Sequence, residues 1–132
     1  MNEEPVLIAL LGTEAEDCEA LRRIIEAGPY RAVPYSKLAD LESGLRSAPC
    51  LAAILDIDSV PLENRTIRQL TIAFPGVSFF CTSRYRFHPE LKDAICYHLF
   101  ACLNKPVDYD ELHYFLKCIL RNETDSRGPP DL

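Results

Sequence analysis

A carboxylate, a hydroxyl and an ammonium group each stand where an apolar run of this sequence ends. Leu51-Ala52-Ala53-Ile54-Leu55 leads into Asp56-Ile57-Asp58, Phe79-Phe80-Cys81 into Thr82-Ser83, and Ala101-Cys102-Leu103 into Asn104-Lys105-Pro106. If a fold brings these run ends together, a nucleophilic carboxylate, a hydrogen-bonding hydroxyl and a cation share one site, a set suited to binding or accepting an anionic group. Asp56 closes its apolar run directly, and Asp58 stands two residues beyond it.

A second cluster follows Thr82 at the same run end. Ser83-Arg84-Tyr85-Arg86-Phe87-His88 interleaves two Arg and a His with aromatics. Arg84, Arg86 and His88 suit an anion or a partner contact. The plainer alternative is a solvated loop whose Tyr85 and Phe87 pack on the helix below. His98 and His113 lie among apolar residues at helical spacing, as surface or core histidines do. The sequence has neither Gly-x-Gly-x-x-Gly nor Gly-Lys-Ser/Thr, so a backbone cradle for nucleotide phosphates is missing. It also lacks a Gly-x-Ser-x-Gly elbow.

The elements that must position these residues alternate between two periodicities. Val6–Leu11 is a continuous apolar run closed by Gly12-Thr13, as suits a strand buried on both faces. Residues 14–27 carry Cys18, Leu21, Ile24 and Ile25 on one helical stripe, and Gly28-Pro29 stops them. Glu14, Glu16 and Asp17 crowd this helix start, where the dipole favours acids. Tyr30–Tyr35 reads as a strand that Pro34 confines to a sheet edge. Ser36 is placed to cap a helix through Ser47. Leu51–Ile57 is a third strand, Pro61–Phe74 a helix with Ile67, Leu70 and Ile72 apolar, and Val77–Thr82 a fourth strand. His88–Leu99 is helical with Pro89 in its first turn, Phe100–Leu103 a fifth strand, and 108–121 a last helix capped by Asp108.

Five apolar strands, each followed by a helix, imply a parallel sheet covered on both faces. The expected fold is α/β: a doubly wound (βα)5, flavodoxin-like three-layer sandwich with a five-stranded parallel sheet. A closed barrel needs eight such units. In open sheets of this kind ligands bind outside the carboxyl ends of the strands, where Asp56, Thr82 and Lys105 stand.

These residues carry a resemblance. Over residues 5–121 the chain looks like the receiver domain of a two-component response regulator, of the chemotaxis-regulator type. Ile54-Leu55-Asp56, Phe80-Cys81-Thr82-Ser83, Leu103-Asn104-Lys105-Pro106 and the helix start Asp108-Tyr109-Asp110-Glu111-Leu112 carry it. The resemblance implies that Asp56 is the phospho-acceptor, Thr82 the hydroxyl that closes on the phosphoryl group, and Lys105 its counter-cation. A carboxylate can accept a phosphoryl group as a covalent acyl phosphate, whose charge a lysine neutralises and to which a hydroxyl donates a hydrogen bond. Asp58 is the rival acceptor or a substitute metal ligand, and Asp56 is preferred because it closes its apolar run directly. The resemblance also implies Mg2+ as cofactor, and a histidine kinase or phosphotransfer protein as partner. It further implies a homodimer or docking face built from the fourth helix, fifth strand and fifth helix. That region supplies Tyr97, Phe100, Tyr109, Tyr114 and Phe115.

The sequence departs from the pattern in three places. Receivers carry an acidic pair after strand one to hold the metal, and here the stretch is Leu10-Leu11-Gly12. Glu14, Glu16 or Asp17 would have to reach inward instead. Proline stands five residues after Asp56, at Pro61, where the family usually has it at four. The aromatic switch position three before the lysine is Cys102.

Composition bounds the function from outside. The chain has 132 residues, 48% hydrophobic and 26% charged, which is one ordinary globular domain. Its 20 acids against 14 bases give a net charge of −6. A phosphate-backbone binder needs a basic face, so nucleic acid is not expected, nor is an anionic membrane surface. The acidic N-terminus does not resemble a signal peptide, and a cytoplasmic setting is expected. There the six Cys (18, 50, 81, 96, 102 and 118) are expected to be thiols and mainly small hydrophobes. Residues 122–132 read as a disordered tail or linker stub.

The function expected is a stand-alone atypical receiver in phosphorelay signalling, with Asp56 as acceptor and output by protein contact. The alternative is a pseudo-receiver, an interaction module that is never phosphorylated. An α/β enzyme using Asp56 and Lys105 on a small molecule lacks a second base or a cofactor motif, so no enzymatic activity is expected.

Overall fold

The computed structural model describes residues 4–86 and 88–126, without the side chains of 96 and 123–126. Phe87, the Cys96 thiol and residues 127–132 of the expected tail therefore lie outside the described residues. The chain alternates β1 (Val6–Leu11), α1 (Ala15–Glu26), β2 (Tyr30–Tyr35), α2 (Leu38–Ser47), β3 (Ala52–Asp56) and α3 (Asn64–Ala73). It continues with β4 (Ser78–Ser83), a 3-10 turn (Pro89–Leu91), α4 (Lys92–Tyr97), β5 (Ala101–Asn104) and α5 (Tyr109–Ser126).

The strands form one sheet in the order β2-β1-β3-β4-β5, and every pairing is parallel. This is the (βα)5 flavodoxin-like sandwich expected from the alternating pattern. Side chains alternate between the two sheet faces, so the continuous apolar strands feed two cores. One face buries Ala9, Leu11, Leu55 and Phe79 against Leu41, Leu45, Ile67 and Leu70 of α2 and α3. The other buries Ile8, Leu10, Ile54 and Phe80 against Ile25 of α1 and Leu112 and Leu116 of α5. Pro34 lies on β2, an edge strand, where its missing N–H interrupts no second ladder.

Boundaries moved where local chemistry differs from the sequence pattern. Ser36 does not cap α2: Lys37 holds the N-cap position, so the hydroxyl stands one residue too early to reach the free N–H groups. The third helix starts at Asn64 rather than Pro61. Its Ile72 is 65% exposed, because five positions after Ile67 a helical residue points to the outer side. Asn64 instead ties two elements together. Its amide donates to the Glu90 carbonyl at 2.9 Å, and its Oδ1 accepts from the Ala94 N–H at 2.9 Å. The expected helix from His88 to Leu99 is shorter, a 3-10 turn passing into six residues of α4. The last helix runs to Ser126, five residues past its expected end.

Asp108 does cap the last helix, its Oδ2 accepting the Glu111 N–H at 2.8 Å. An exposed cap of this kind contributes about 1 kcal/mol. Asp108→Ala is expected to lower stability by about that amount in urea unfolding, with an unchanged m-value.

Two of the six cysteines are not thiols. Cys81 of β4 and Cys102 of β5 are register partners, with Cα atoms 4.8 Å apart, and are joined as a disulfide. They stand 21 positions apart in sequence, so spacing gives no hint of the pairing. Parallel register creates it. Cys18, Cys50 and Cys118 are free, and only Cys50 of these is fully buried.

Candidate functional site

Asp56, Thr82 and Lys105 converge because β3, β4 and β5 are adjacent and parallel, so their carboxyl ends share one edge. Asp56 pairs directly with Thr82 in the β3–β4 register. Lys105 follows β5, and its N–H donates to the Ser83 carbonyl at 2.9 Å. Its peptide bond to Pro106 is cis. Asp56 is 6% exposed and Thr82 2%, so both lie within the fold rather than on its surface.

Lys105 is the centre of the cluster. Its Nζ donates to Asp56 Oδ1 at 2.7 Å and to Asp17 Oδ2 at 3.0 Å, and lies 3.4 Å from Asp58 Oδ2. The Lys105 side chain is only 8% exposed. A cation this buried needs compensating charge, and three carboxylates supply it. Burial alone pushes the Lys105 ammonium down, but its hydrogen bonds to Asp56 and Asp17 outweigh that and hold its pKa above the usual value.

Each carboxylate is also committed elsewhere. Asp56 Oδ1 accepts the Asp58 N–H at 3.1 Å, and its Oδ2 accepts the Ser59 hydroxyl at 2.9 Å. Asp58 accepts the Ser83 hydroxyl at 2.7 Å and the Arg84 N–H at 2.8 Å, so it fastens the β3–α3 loop to the β4–α4 loop. Burial pushes the Asp58 carboxyl up, while these two donors and Lys105 together hold it below its ordinary value. Asp17 receives Arg84 at 3.1 Å as well as Lys105. The hydrogen bond from Lys105 is the main reason its carboxyl is held low.

Asp17 is the site residue that the sequence pattern undersold. Acids at a helix start are ordinary, and nothing local separates Asp17 from Glu14 or Glu16. What selects it is that the third position of α1 overlies the end of β1, beside the lysine. Gly12 makes room there: a Cβ on it would lie 3.2 Å from Asp56 Cβ and 3.2 Å from Cys18 Sγ. Behind the cluster a cavity of about 120 Å3 opens between β1, α1 and the Pro106-Val107 segment, floored by Leu10, Leu21, Ile24 and Ile54.

The Arg-rich loop divides in three. Arg84 reaches into the cluster through Asp17, while Arg86 is exposed. His88 turns back, its Nε2 donating to the Tyr85 carbonyl at 2.8 Å. His113 is 7% exposed, donates to the Ile24 carbonyl at 2.6 Å and stacks on Tyr109. It joins α5 to α1 and takes no part in the cluster.

Mg2+ takes near-octahedral oxygen ligands. Here the oxygens facing the centre of the cluster are occupied by the ammonium, and the remaining ones by hydroxyl, N–H and guanidinium donors. Among the described residues no group of three or more His, Cys, Asp and Glu is arranged to hold a metal. Nor is any helix among them long and apolar enough to cross a membrane.

No family model matches the sequence, and no curated protein matches it. Solved structures do match the fold. A signal receiver domain of an HD domain-containing protein from Pseudomonas fluorescens superposes with a TM-score of 0.77 at 17% identity, over 96% of this chain and 95% of that one. A CheY-like response regulator receiver domain protein from Methanospirillum hungatei gives 0.78 at 16%, over 94% and 99%. A response regulator from Thermotoga maritima gives 0.77 at 14%, over 89% and 98%. The chain therefore has the fold of response-regulator receiver domains.

Proposed function

We propose that this chain is a receiver-fold signalling module of the two-component type, acting through protein contact, whose strand-end cluster is held in one state by its own lysine. The observation that carries the reading is the Lys105 ammonium set among Asp17, Asp56 and Asp58. Phosphoryl transfer to a carboxylate relies on a divalent cation to offset the charge on the phosphoryl oxygens. In this chain the positions that would ligate it serve internal ion pairs. The site then works as a structural lock, and signalling is by docking. Tyr97 on α4 and Tyr109 and Tyr114 on α5 are exposed and offer aromatic contacts to a second copy or a phosphotransfer partner.

The second reading is phosphorylation of Asp56, favoured by the convergence of Asp56, Thr82 and Lys105 on one edge. One measurement separates the two. The protein is incubated with acetyl phosphate or phosphoramidate and magnesium, and its intact mass is recorded. No adduct is expected. A phosphoryl adduct that disappears in Asp56→Asn would overturn the locked-site reading in favour of the acceptor. One that survives in Asp56→Asn and disappears in Asp58→Asn would move the acceptor to Asp58.

A further inference from the structure

We propose that Cys81–Cys102 is a thiol–disulfide exchange site, and that the state of this bond sets how firmly β5, and with it Lys105, is held to the sheet. The inference does not rest on the signalling reading. Three placements support it. First, the two residues differ in access: Cys81 is fully buried, while Cys102 is exposed on an edge strand. The side from which a thiolate approaches is therefore that of Cys102, and exchange depends on such access.

Second, the bond joins strands that are already register partners in a domain with two filled cores. A chain of this size needs no covalent staple to fold. Third, β5 is a short edge strand, four residues long and hydrogen-bonded in the sheet to β4, with Leu103 its buried anchor in the core. Its flanks are tied by the Phe100 N–H to the Phe79 carbonyl at 2.6 Å and the Lys105 N–H to the Ser83 carbonyl at 2.9 Å. Cys102 stands three residues before Lys105, so loosening this strand loosens the cation of the cluster.

A dithiol supplies the reductant. Its thiolate attacks Cys102 Sγ, the S–S bond breaks, and Cys81 leaves as a thiolate that takes up a proton. The reductant's second thiol then attacks the mixed disulfide, releasing Cys102 as a thiol. The protein gains two electrons and two protons, and the reductant becomes its own disulfide.

The test uses the full chain purified without reductant. One portion is treated with dithiothreitol under native conditions and another is left untreated. Both are acid-quenched, denatured and alkylated with N-ethylmaleimide, and their peptides are weighed. The expected result is that Cys81 and Cys102 stay unlabelled in the untreated portion and both become labelled after native reduction. Labelling of both cysteines without reductant would overturn the proposal, since the pair is then two thiols. So would a bond that yields to dithiothreitol only after denaturation.

Hydrogen exchange gives the second readout. Amides of β5 and Lys105 are expected to exchange at least roughly tenfold faster in the reduced protein, with β1 and β3 unchanged. Cys102→Ser, a change at an exposed position, is expected to reproduce that faster exchange without any reductant. Oxidised wild-type protection of β5 in Cys102→Ser would show that the bond does not hold the strand.

Discussion

Lys105→Met is expected to destabilise the protein by about 3–5 kcal/mol at neutral pH, because it leaves buried carboxylates without their cation. The Lys105, Asp56 and Asp58 side chains are 8%, 9% and 15% exposed, so water replaces little of the lost interaction. Methionine fills similar space and isolates the charge effect from a packing loss. The pH dependence is expected to differ between the two proteins. In the wild type the Asp17 and Asp58 carboxyls are held below their ordinary value of 3.8. Depressed folded-state values add stability that is complete above that ordinary value and is lost as pH falls through the folded one. Wild-type stability from these groups is therefore flat from pH 7 to pH 5 and declines in stronger acid.

In Lys105→Met the same carboxylates face one another, and repulsion raises at least one of their pKa values. Protonation then relieves the strain, so the variant gains stability on acidification from pH 7 to pH 5. Urea unfolding of both proteins at several pH values checks this. A variant whose stability falls in parallel with the wild type over that range would contradict the charge-centred account of the cluster.

Phe80→Ala carries the other large expected effect, about 3–5 kcal/mol. Phe80 is fully buried at the centre of the sheet face covered by α1 and α5. Its ring centroid lies 5.1 Å from that of Phe100 and 6.1 Å from that of Phe115. Truncation removes the transfer contribution of the ring, leaves a cavity that the paired strands cannot close, and breaks two aromatic contacts. Phe80 also pairs with Ala101 at the start of β5. The loss should therefore be felt at Lys105 as faster amide exchange as well as in a lower midpoint. Phe80→Leu keeps most of the volume and is expected to cost about half as much, which distinguishes a packing loss from general misfolding.

The expected pattern of strands, helices and one parallel sheet followed from hydrophobic periodicity, because a strand buried on both faces leaves no alternative to an apolar run. Helix starts were less legible. Ser36 and Pro61 both carry start signals, yet α2 and α3 begin at Leu38 and Asn64. The capping preference of one residue is worth about 1 kcal/mol and yields to packing. Asn64 shows how: its side chain serves the Glu90 and Ala94 backbone of the following elements.

At the site the sequence by itself determined which residues end β3, β4 and β5, and so brought Asp56, Thr82 and Lys105 to one edge. Strand ends are local, and parallel order then forces them together. Only the tertiary structure decided the rest. Asp17 joins the cluster because α1 crosses the end of β1 beside Lys105, a placement that no local signal separates from Glu14 or Glu16. Asp58 proves to be a tie between two loops, through partners 25 and 26 residues away. Cys81 and Cys102 meet through register alone. Charge balance and covalent pairing are set by distances across the fold, and a linear pattern holds no record of those distances until the strands are laid side by side.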